Sequence, residues 1–171
     1  MELRPHQEKA VQMLRYSLSQ GKRRPILAAP CSFGKTITAA HIFQQAVARG
    51  KRGIFICDRI KLVEQSLEAF DLQGIETGVM QGNHQRSDHS MPVQIASIQT
   101  LSRRSRMPIF DFAIVDECHA VHKHLLKMMQ AYNNIPFIGL SATPFSKGLG
   151  KVYDDLIVPI SPVELLEENY L

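Results

Sequence analysis

Residues 29–36 read Ala-Pro-Cys-Ser-Phe-Gly-Lys-Thr, and they lie between an apolar run at residues 26–28 and a segment of helical periodicity that extends to Arg49. A Gly-Lys-Thr triplet at a strand-to-helix junction is typical of a phosphate-binding loop. In such a loop, backbone N–H groups at the start of the helix point towards an anion, and the lysine reaches the outer phosphates. The stretch predicts a strand, a phosphate loop and a helix in succession.

The match to the usual pattern G-x-x-x-x-G-K-[ST] is incomplete, because Ala29 stands where the first glycine is expected. Gly34 and Lys35 alone would also fit an ordinary turn that caps a helix. A nucleotide site needs an acidic partner for the metal elsewhere in the chain, so the remaining sequence has to distinguish these alternatives.

The composition indicates one globular domain. The 171 residues are enough for a full core but few for two ordinary domains. No apolar run approaches the roughly 20 residues of a membrane span, and the N-terminus lacks a secretory pattern. We therefore expect a cytoplasmic protein that does not bind a membrane. The net charge of +4 suits a polyanionic partner, although solvated loop ends would also account for its basic residues.

The three cysteines, Cys31, Cys57 and Cys118, are widely spaced, which favours a reducing compartment over a disulfide framework. Cys118 lies near three histidines, but the sequence has no C-x-x-C pair. We therefore expect no zinc site.

Short apolar segments alternate with segments of helical periodicity along the chain. Strands are predicted over residues 26–28, 54–57, 76–80, 93–97, 112–115, 137–140 and 156–160. Helices are predicted over residues 5–20, 36–49, 59–70 and 98–102, over the face marked by Val121, Leu125, Met128, Met129 and Tyr132, and after the capping residues Ser161, Pro162 and Glu164. This alternation predicts an α/β fold with an open, mostly parallel sheet and helices on both faces. Ligands of such sheets bind at the carboxyl ends of the strands.

The acidic partner that the phosphate loop needs is present at Asp116 and Glu117, which follow an apolar strand. Asp116 and the Thr36 hydroxyl are placed to hold Mg²⁺, and Glu117 is placed to deprotonate an attacking water. The paired motifs predict binding of a nucleoside triphosphate with Mg²⁺. The candidate nucleotide-binding residues of the loop are Pro30, Cys31, Ser32, Phe33, Gly34, Lys35 and Thr36, and the candidate catalytic residues are Lys35, Asp116 and Glu117.

These motifs together resemble the first RecA-like domain of superfamily 2 helicases and translocases, a P-loop NTPase domain, in the DEAD/DEAH-type group with a DECH box. Residues 29–36 are similar to motif I of that family, residues 116–119 to motif II and residues 141–143 to motif III. The resemblance implies that His119, Ser141 and Thr143 couple the nucleotide to the nucleic-acid site. It also implies that Arg4 and Gln7 recognise adenine.

Weaker similarities to the family's nucleic-acid motifs cover residues 54–65 and 96–101. They imply a track along a nucleic-acid backbone, with DNA favoured over RNA as the partner. The residues implied for this track are Asp58, Arg59, Gly82, Ser97, Gln99 and Thr100.

The family resemblance implies that residues 1–171 form a single N-terminal motor domain of an ATP-dependent helicase or translocase. A second RecA-like domain, which supplies arginine fingers in the family, is expected outside this chain. We read the chain as a fragment or a solitary domain with weak or absent hydrolysis on its own. Two alternatives remain open: a non-catalytic module that binds nucleotide or nucleic acid, and the motor part of a restriction or repair complex.

The loop departs from the commonest family sequence at Cys31, Ser32 and Phe33, where Thr-Gly-Ser is usual. Ser32 and Phe33 add bulk beside the phosphates, unless Phe33 packs away from the ligand.

Overall fold

The computed structural model describes residues 2–167 and contains one seven-stranded sheet in which all neighbouring strands are parallel. The strands are β1 (Pro25–Ala28), β2 (Gly53–Cys57), β3 (Gly78–Val79), β4 (Val93–Ser97), β5 (Phe112–Val115), β6 (Phe137–Ser141) and β7 (Asp155–Ile157). Their order in the sheet is β3-β4-β2-β5-β6-β1-β7. The predicted fold class is confirmed, and the sheet is wholly parallel within the described residues.

The helices are α1 (Pro5–Ser19), α2 (Lys35–Val47), α3 (Lys61–Leu72), α4 (Ile98–Ser102), α5 (Lys123–Ala131) and α6 (Pro162–Glu167), with a 3₁₀ turn at Leu149–Lys151. They cover two faces of the sheet, because alternate strand residues enter two separate cores. Leu27, Phe55 and Ile114 pack with residues of α1, α2 and α3. Ile26, Ile54 and Ala113 pack with residues of α4 and α5. None of the helices within residues 2–167 combines the length and apolar character that a membrane crossing requires.

Several element boundaries differ from prediction, and neighbouring loops explain the differences. Strand β3 is Gly78–Val79 rather than residues 76–80, and the following loop packs along its outer edge, where the Val79 N–H donates to the Arg86 carbonyl at 2.8 Å. Helix α3 starts at Lys61 rather than residue 59, since residues 58–60 form a bend and turn. Strand β7 is Asp155–Ile157 rather than residues 156–160, at the edge beside β1.

Helix α5 begins at Lys123, so Val121 lies outside the predicted helical face and is 42% exposed. The predicted start of α6 is confirmed. The Ser161 N–H donates to the Glu164 carboxylate at 2.7 Å, and the Glu164 N–H donates to the Ser161 hydroxyl at 3.2 Å.

Candidate functional site

The sheet order divides its carboxyl edge into two neighbouring regions. Strand β1 with the phosphate loop, β6 with Ser141 and β5 with Asp116 are consecutive neighbours. Strands β2, β4 and β3, which carry the predicted nucleic-acid track, continue the same edge beyond β5. The parallel arrangement therefore gathers both sets of predicted site residues along one edge.

Lys35 and Glu117 meet across this edge. The Lys35 ammonium, in the first turn of α2, donates to the Glu117 carboxylate just beyond β5. The two side chains are 22% and 33% exposed, so the pair is partly shielded from water. Glu117 also has a φ of 49°, an unusual value for a residue with a side chain. The structure thus brings together the predicted phosphate lysine and the predicted base.

Asp116, next to this pair, has a buried carboxylate atom, Oδ1, that has no hydrogen-bond partner within the described residues. Burial raises the pKa of Asp116, while the nearby Lys35 charge acts in the opposite direction. A buried carboxylate oxygen without a donor is the kind of ligand that Mg²⁺ prefers, and protein sites often give this ion only one or two carboxylates. The Asp116 side chain therefore fits a magnesium–nucleotide site.

The three predicted coupling residues form a continuous chain of contacts. His119 Nδ1 lies 3.3 Å from Glu117 Oε2 and 3.0 Å from Ser141 Oγ. The Thr143 N–H in turn donates to Ser141 Oγ at 3.0 Å. Ser141 is fully buried, and its hydroxyl joins the acidic segment after β5 to the turn after β6.

Phe33 packs beneath the phosphate loop. Its side chain is fully buried and lies 5.0 Å from the His6 ring, centroid to centroid. The Phe33 N–H donates to the Pro30 carbonyl at 3.1 Å, so the loop closes on itself. Ser32 has a φ of 63° and Gly34 a φ of 86°. The bulk of Phe33 therefore lies in the core, whereas Cys31 and Ser32 are exposed.

The start of α1 is attached to the phosphate loop. Gln7 Nε2 donates to the Phe33 carbonyl at 2.8 Å, and Gln7 Oε1 accepts from the Arg4 N–H at 2.9 Å. His6 Nε2 lies 3.2 Å from the same carbonyl. Gln7 is only 2% exposed, and its role in adenine recognition, like that of Arg4, remains a prediction. Sequence reasoning missed His6, although its position between Arg4 and Gln7 was a usable signal.

The predicted nucleic-acid residues occupy the other half of the edge. Ser97 caps α4: its hydroxyl accepts from the Thr100 N–H at 3.1 Å and lies 3.0 Å from Thr100 Oγ1. Gln99 and Gly82 are exposed, and Arg59 is 76% exposed. Asp58 is 17% exposed and contacts His122, a residue that sequence reasoning did not select. No sequence pattern pairs these two positions.

The histidines after Asp116 do not assemble with Cys118. Cys118 is buried against Gly139, because a Cβ added to this glycine would lie only 2.6 Å from the Cys118 sulfur. Burial also raises the pKa of the Cys118 thiol to about 12. His119 and His122 bond to Ser141 and Asp58. Within residues 2–167, no three histidine, cysteine or acidic side chains form a group able to hold a metal ion among themselves.

A family model for the res subunit of type III restriction enzymes (ResIII) matches residues 1–146. The chain belongs to the ResIII family. This membership and the structural likenesses below confirm the predicted kinship with the first RecA-like domain of superfamily 2 helicases and translocases.

One curated relative of this ResIII chain is the endonuclease subunit of the type I restriction enzyme EcoKI from Escherichia coli K12. It is 29% identical over 133 residues, which cover 68% of this chain and 11% of that protein. The chain therefore spans about a tenth of the length of that relative.

Solved structures share the fold of the ResIII chain at low identity. A nuclease-deletion mutant of the type ISP restriction-modification enzyme LlaGI, in complex with a DNA substrate mimic, matches with a TM-score of 0.79 and 17% identity, over 99% of this chain and 21% of that one. T4 UvsW matches with a TM-score of 0.74 and 21% identity, over 94% of this chain and 35% of that one. The Sulfolobus solfataricus SWI2/SNF2 ATPase core in complex with double-stranded DNA matches with a TM-score of 0.68 and 18% identity. This match covers 87% of this chain and 34% of that one.

Proposed function

We propose that this chain is the ATP-binding motor domain of a DNA translocase or helicase. The observation that carries the proposal is the meeting of Lys35 and Glu117 beside the buried Oδ1 of Asp116, which has no hydrogen-bond partner among residues 2–167. A lysine at a helix start, a shielded carboxylate and a second carboxylate with one buried, unbonded oxygen within the described residues form an arrangement suited to phosphoryl transfer to water.

Each side chain has a distinct role in this proposal. Lys35 leaves Glu117 to neutralise phosphate oxygens, and backbone N–H groups at the start of α2 assist it. Glu117, once released, orients water and accepts its proton. Thr36 and Asp116 hold Mg²⁺, which supplies charge neutralisation at the phosphates. Residues 30–33 shape the loop around the phosphates, and Arg4 with Gln7 lies on the side where the base is recognised.

The carboxyl edge beyond β5 is the proposed site for a nucleic-acid backbone. Its proposed contacts are the exposed side chains of Arg59 and Gln99 and the half-buried Thr100 hydroxyl, which bind phosphates without reading sequence. DNA is the favoured partner because LlaGI and the SWI2/SNF2 core, which share the fold, were solved with DNA or a DNA mimic. ResIII membership and the EcoKI relative favour a restriction complex as the setting.

A second RecA-like domain is part of the proposal. Hydrolysis by such motors depends on arginines from that domain, worth roughly 10³–10⁵ in rate in related NTPases. We therefore expect this chain alone to bind ATP and hydrolyse it slowly. The non-catalytic alternative loses one of its supports, since Phe33 is buried below the loop rather than exposed beside the phosphates.

The test is calorimetric titration of the chain with ATP and Mg²⁺, compared between the wild type and Lys35→Ala. We expect the substitution to abolish measurable binding, because it removes the cation that meets the phosphates. Lys51→Ala is the control, since it removes a lysine from another acid pair, with Asp111. Unchanged ATP binding by Lys35→Ala would refute the nucleotide site. Titration with single-stranded DNA, duplex DNA and RNA then tests the partner.

A further inference from the structure

The Asp58 carboxylate accepts hydrogen bonds from two side chains, those of His122 and Arg59. Its Oδ1 lies 2.5 Å from His122 Nε2, and its Oδ2 lies 3.2 Å from Arg59 Nε. Because a carboxylate only accepts hydrogen bonds, Nε2 of His122 carries the proton in this contact. Asp58 is 17% exposed, so both bonds are partly shielded, whereas Arg59 extends into solvent. Each oxygen of the Asp58 carboxylate therefore has a side-chain partner.

The two partners of Asp58 belong to different halves of the carboxyl edge. Arg59 follows β2 on the side of the proposed nucleic-acid track. His122 occupies the N-cap position of α5 without a capping side-chain bond, and it lies three residues after His119, in the segment that also carries Glu117. Strands β2 and β5 are neighbours, with Ile56 beside Val115, so the Asp58–His122 contact crosses the boundary between the two halves.

This contact does not involve β6. The chain of contacts through His119, Ser141 and Thr143 connects the same acidic segment to the turn after β6. Asp58 and His122 instead connect it to β2, on its opposite side. The segment after β5 is therefore tied to both neighbouring strands by separate side-chain bonds.

Arg59 is arranged to exchange partners. Only its Nε is bonded to Asp58, so the two terminal nitrogens of its guanidinium remain available to a phosphate. An anion bound there competes with Asp58 for the guanidinium charge. As Arg59 turns towards the phosphate, its hydrogen bond to Asp58 weakens. His122 then becomes the main side-chain donor to the Asp58 carboxylate. Binding at the track therefore changes a bond made by the segment that carries Glu117.

We propose that His122 is a positioning residue that links binding of a nucleic-acid backbone at Arg59, through Asp58, to the segment carrying Glu117. This inference rests on the proposed function, because it requires nucleic acid on the track and nucleotide beside Glu117. A purely structural role, in which His122 only fixes the start of α5, would leave its bond unchanged when DNA binds.

The first measurement is the imidazole NMR signal of His122 in the whole chain, titrated with a short DNA oligonucleotide. We expect the signal to shift as DNA saturates the wild type. In Arg59→Ala the His122 signal at saturating DNA should match the signal of the same variant without DNA. This variant should also bind DNA more weakly than the wild type. His124, two residues further on in α5, provides an internal reference that should not move.

The second measurement is the ratio of ATP affinities with and without saturating DNA. Coupling between sites typically amounts to 5–150-fold, so we expect about fivefold or more in the wild type. His122→Ala should reduce the ratio to about one, with thermal stability recorded in parallel. His122→Gln, whose Nε2 can also donate to Asp58, should restore it. His124→Ala should behave as the wild type.

The outcomes separate this inference from the proposed function. Failure of the wild type to bind DNA or ATP would refute the proposed function, and the inference with it. DNA binding without any shift of the His122 signal would overturn the inference alone. A shift that persists fully in saturated Arg59→Ala would also overturn it. Loss of stability in His122→Ala with an unchanged affinity ratio would show a structural role only.

Discussion

Lys35 and Glu117 form an ion pair that joins the first turn of α2 to the carboxyl end of β5. The pair joins the predicted phosphate-binding cation to the predicted base. Under the proposed function, ATP replaces a carboxylate as the partner of Lys35. In that proposal the same exchange releases Glu117 when phosphates bind to Lys35.

Replacement of Glu117 by glutamine should separate binding from hydrolysis. Glu117→Gln removes the negative charge that competes for Lys35, so ATP should bind more tightly than to the wild type. Loss of a general base should lower hydrolysis by roughly 10²–10⁴-fold. Calorimetry on this chain measures the first effect, and phosphate release in the presence of DNA, from a protein that includes the second RecA-like domain, measures the second.

The matched control for this change is Asp111→Asn, which breaks the 3.1 Å pair between Lys51 and Asp111 just before β5, at the opposite end of the strand. It should leave ATP affinity unchanged. Weaker ATP binding by Glu117→Gln would contradict the competition described for Lys35.

Gly34→Ala should destabilise the chain more than Gly21→Ala. Both glycines have a φ of +86°, so an added methyl group meets the same backbone strain at either position. At Gly34 the methyl group would also lie 2.3 Å from Gln7 Nε2, whereas nothing lies within 4 Å of it at Gly21. Displacement of Gln7 breaks its bond to the Phe33 carbonyl, an additional cost of about 1 kcal/mol. Urea unfolding of both variants measures the difference, and equal losses would disprove the tie between α1 and the loop.

Ser32→Gly should stabilise the nucleotide-free chain. Ser32 has a φ of 63°, where a side chain costs about 1–2 kcal/mol. Glycine removes that cost but gives the unfolded chain more freedom, so a net gain of about 0.5–1 kcal/mol is expected. Ser105→Gly, in an exposed bend without a positive φ, is the control and should give no gain. A loss of stability in Ser32→Gly would show that the serine side chain contributes a bond that outweighs the strain.

Only one of the three cysteines should react in the native state. Cys31 is exposed in the phosphate loop, whereas Cys57 and Cys118 are buried. Burial raises the pKa of each of these two thiols to about 12, so the reactive thiolate stays scarce at pH 9 and below. Mass spectrometry after alkylation should show one modified thiol at neutral pH, and all three in denaturant. Bound ATP should protect Cys31, and native labelling of Cys31→Ser would contradict this assignment.

Much of the fold could be predicted from local patterns. Apolar runs located six of the seven strands to within about two residues at each end, because a strand buried on both faces reads as a continuous apolar segment. The exception is β7, which ends at Ile157, three residues before its predicted end. Strand β3 has two residues rather than the predicted five, and its outer edge bonds to the Arg86 carbonyl in a loop that has no periodic signal. Helix α5 began later than its apolar stripe suggested, because Val121 belongs to the preceding loop.

By itself, the sequence determined the chemistry and its placement at strand ends: the loop with Lys35, the carboxylates after β5 and the polar turn after β6. These features depend on residue type and on periodicity within a few positions of the chain. Only the tertiary structure decided that Phe33 is buried, that Gln7 holds its carbonyl and that Asp58 contacts His122, 64 positions away. Such contacts depend on which strands become neighbours. Packing of both faces of the sheet settles that order, and no short stretch of sequence encodes it.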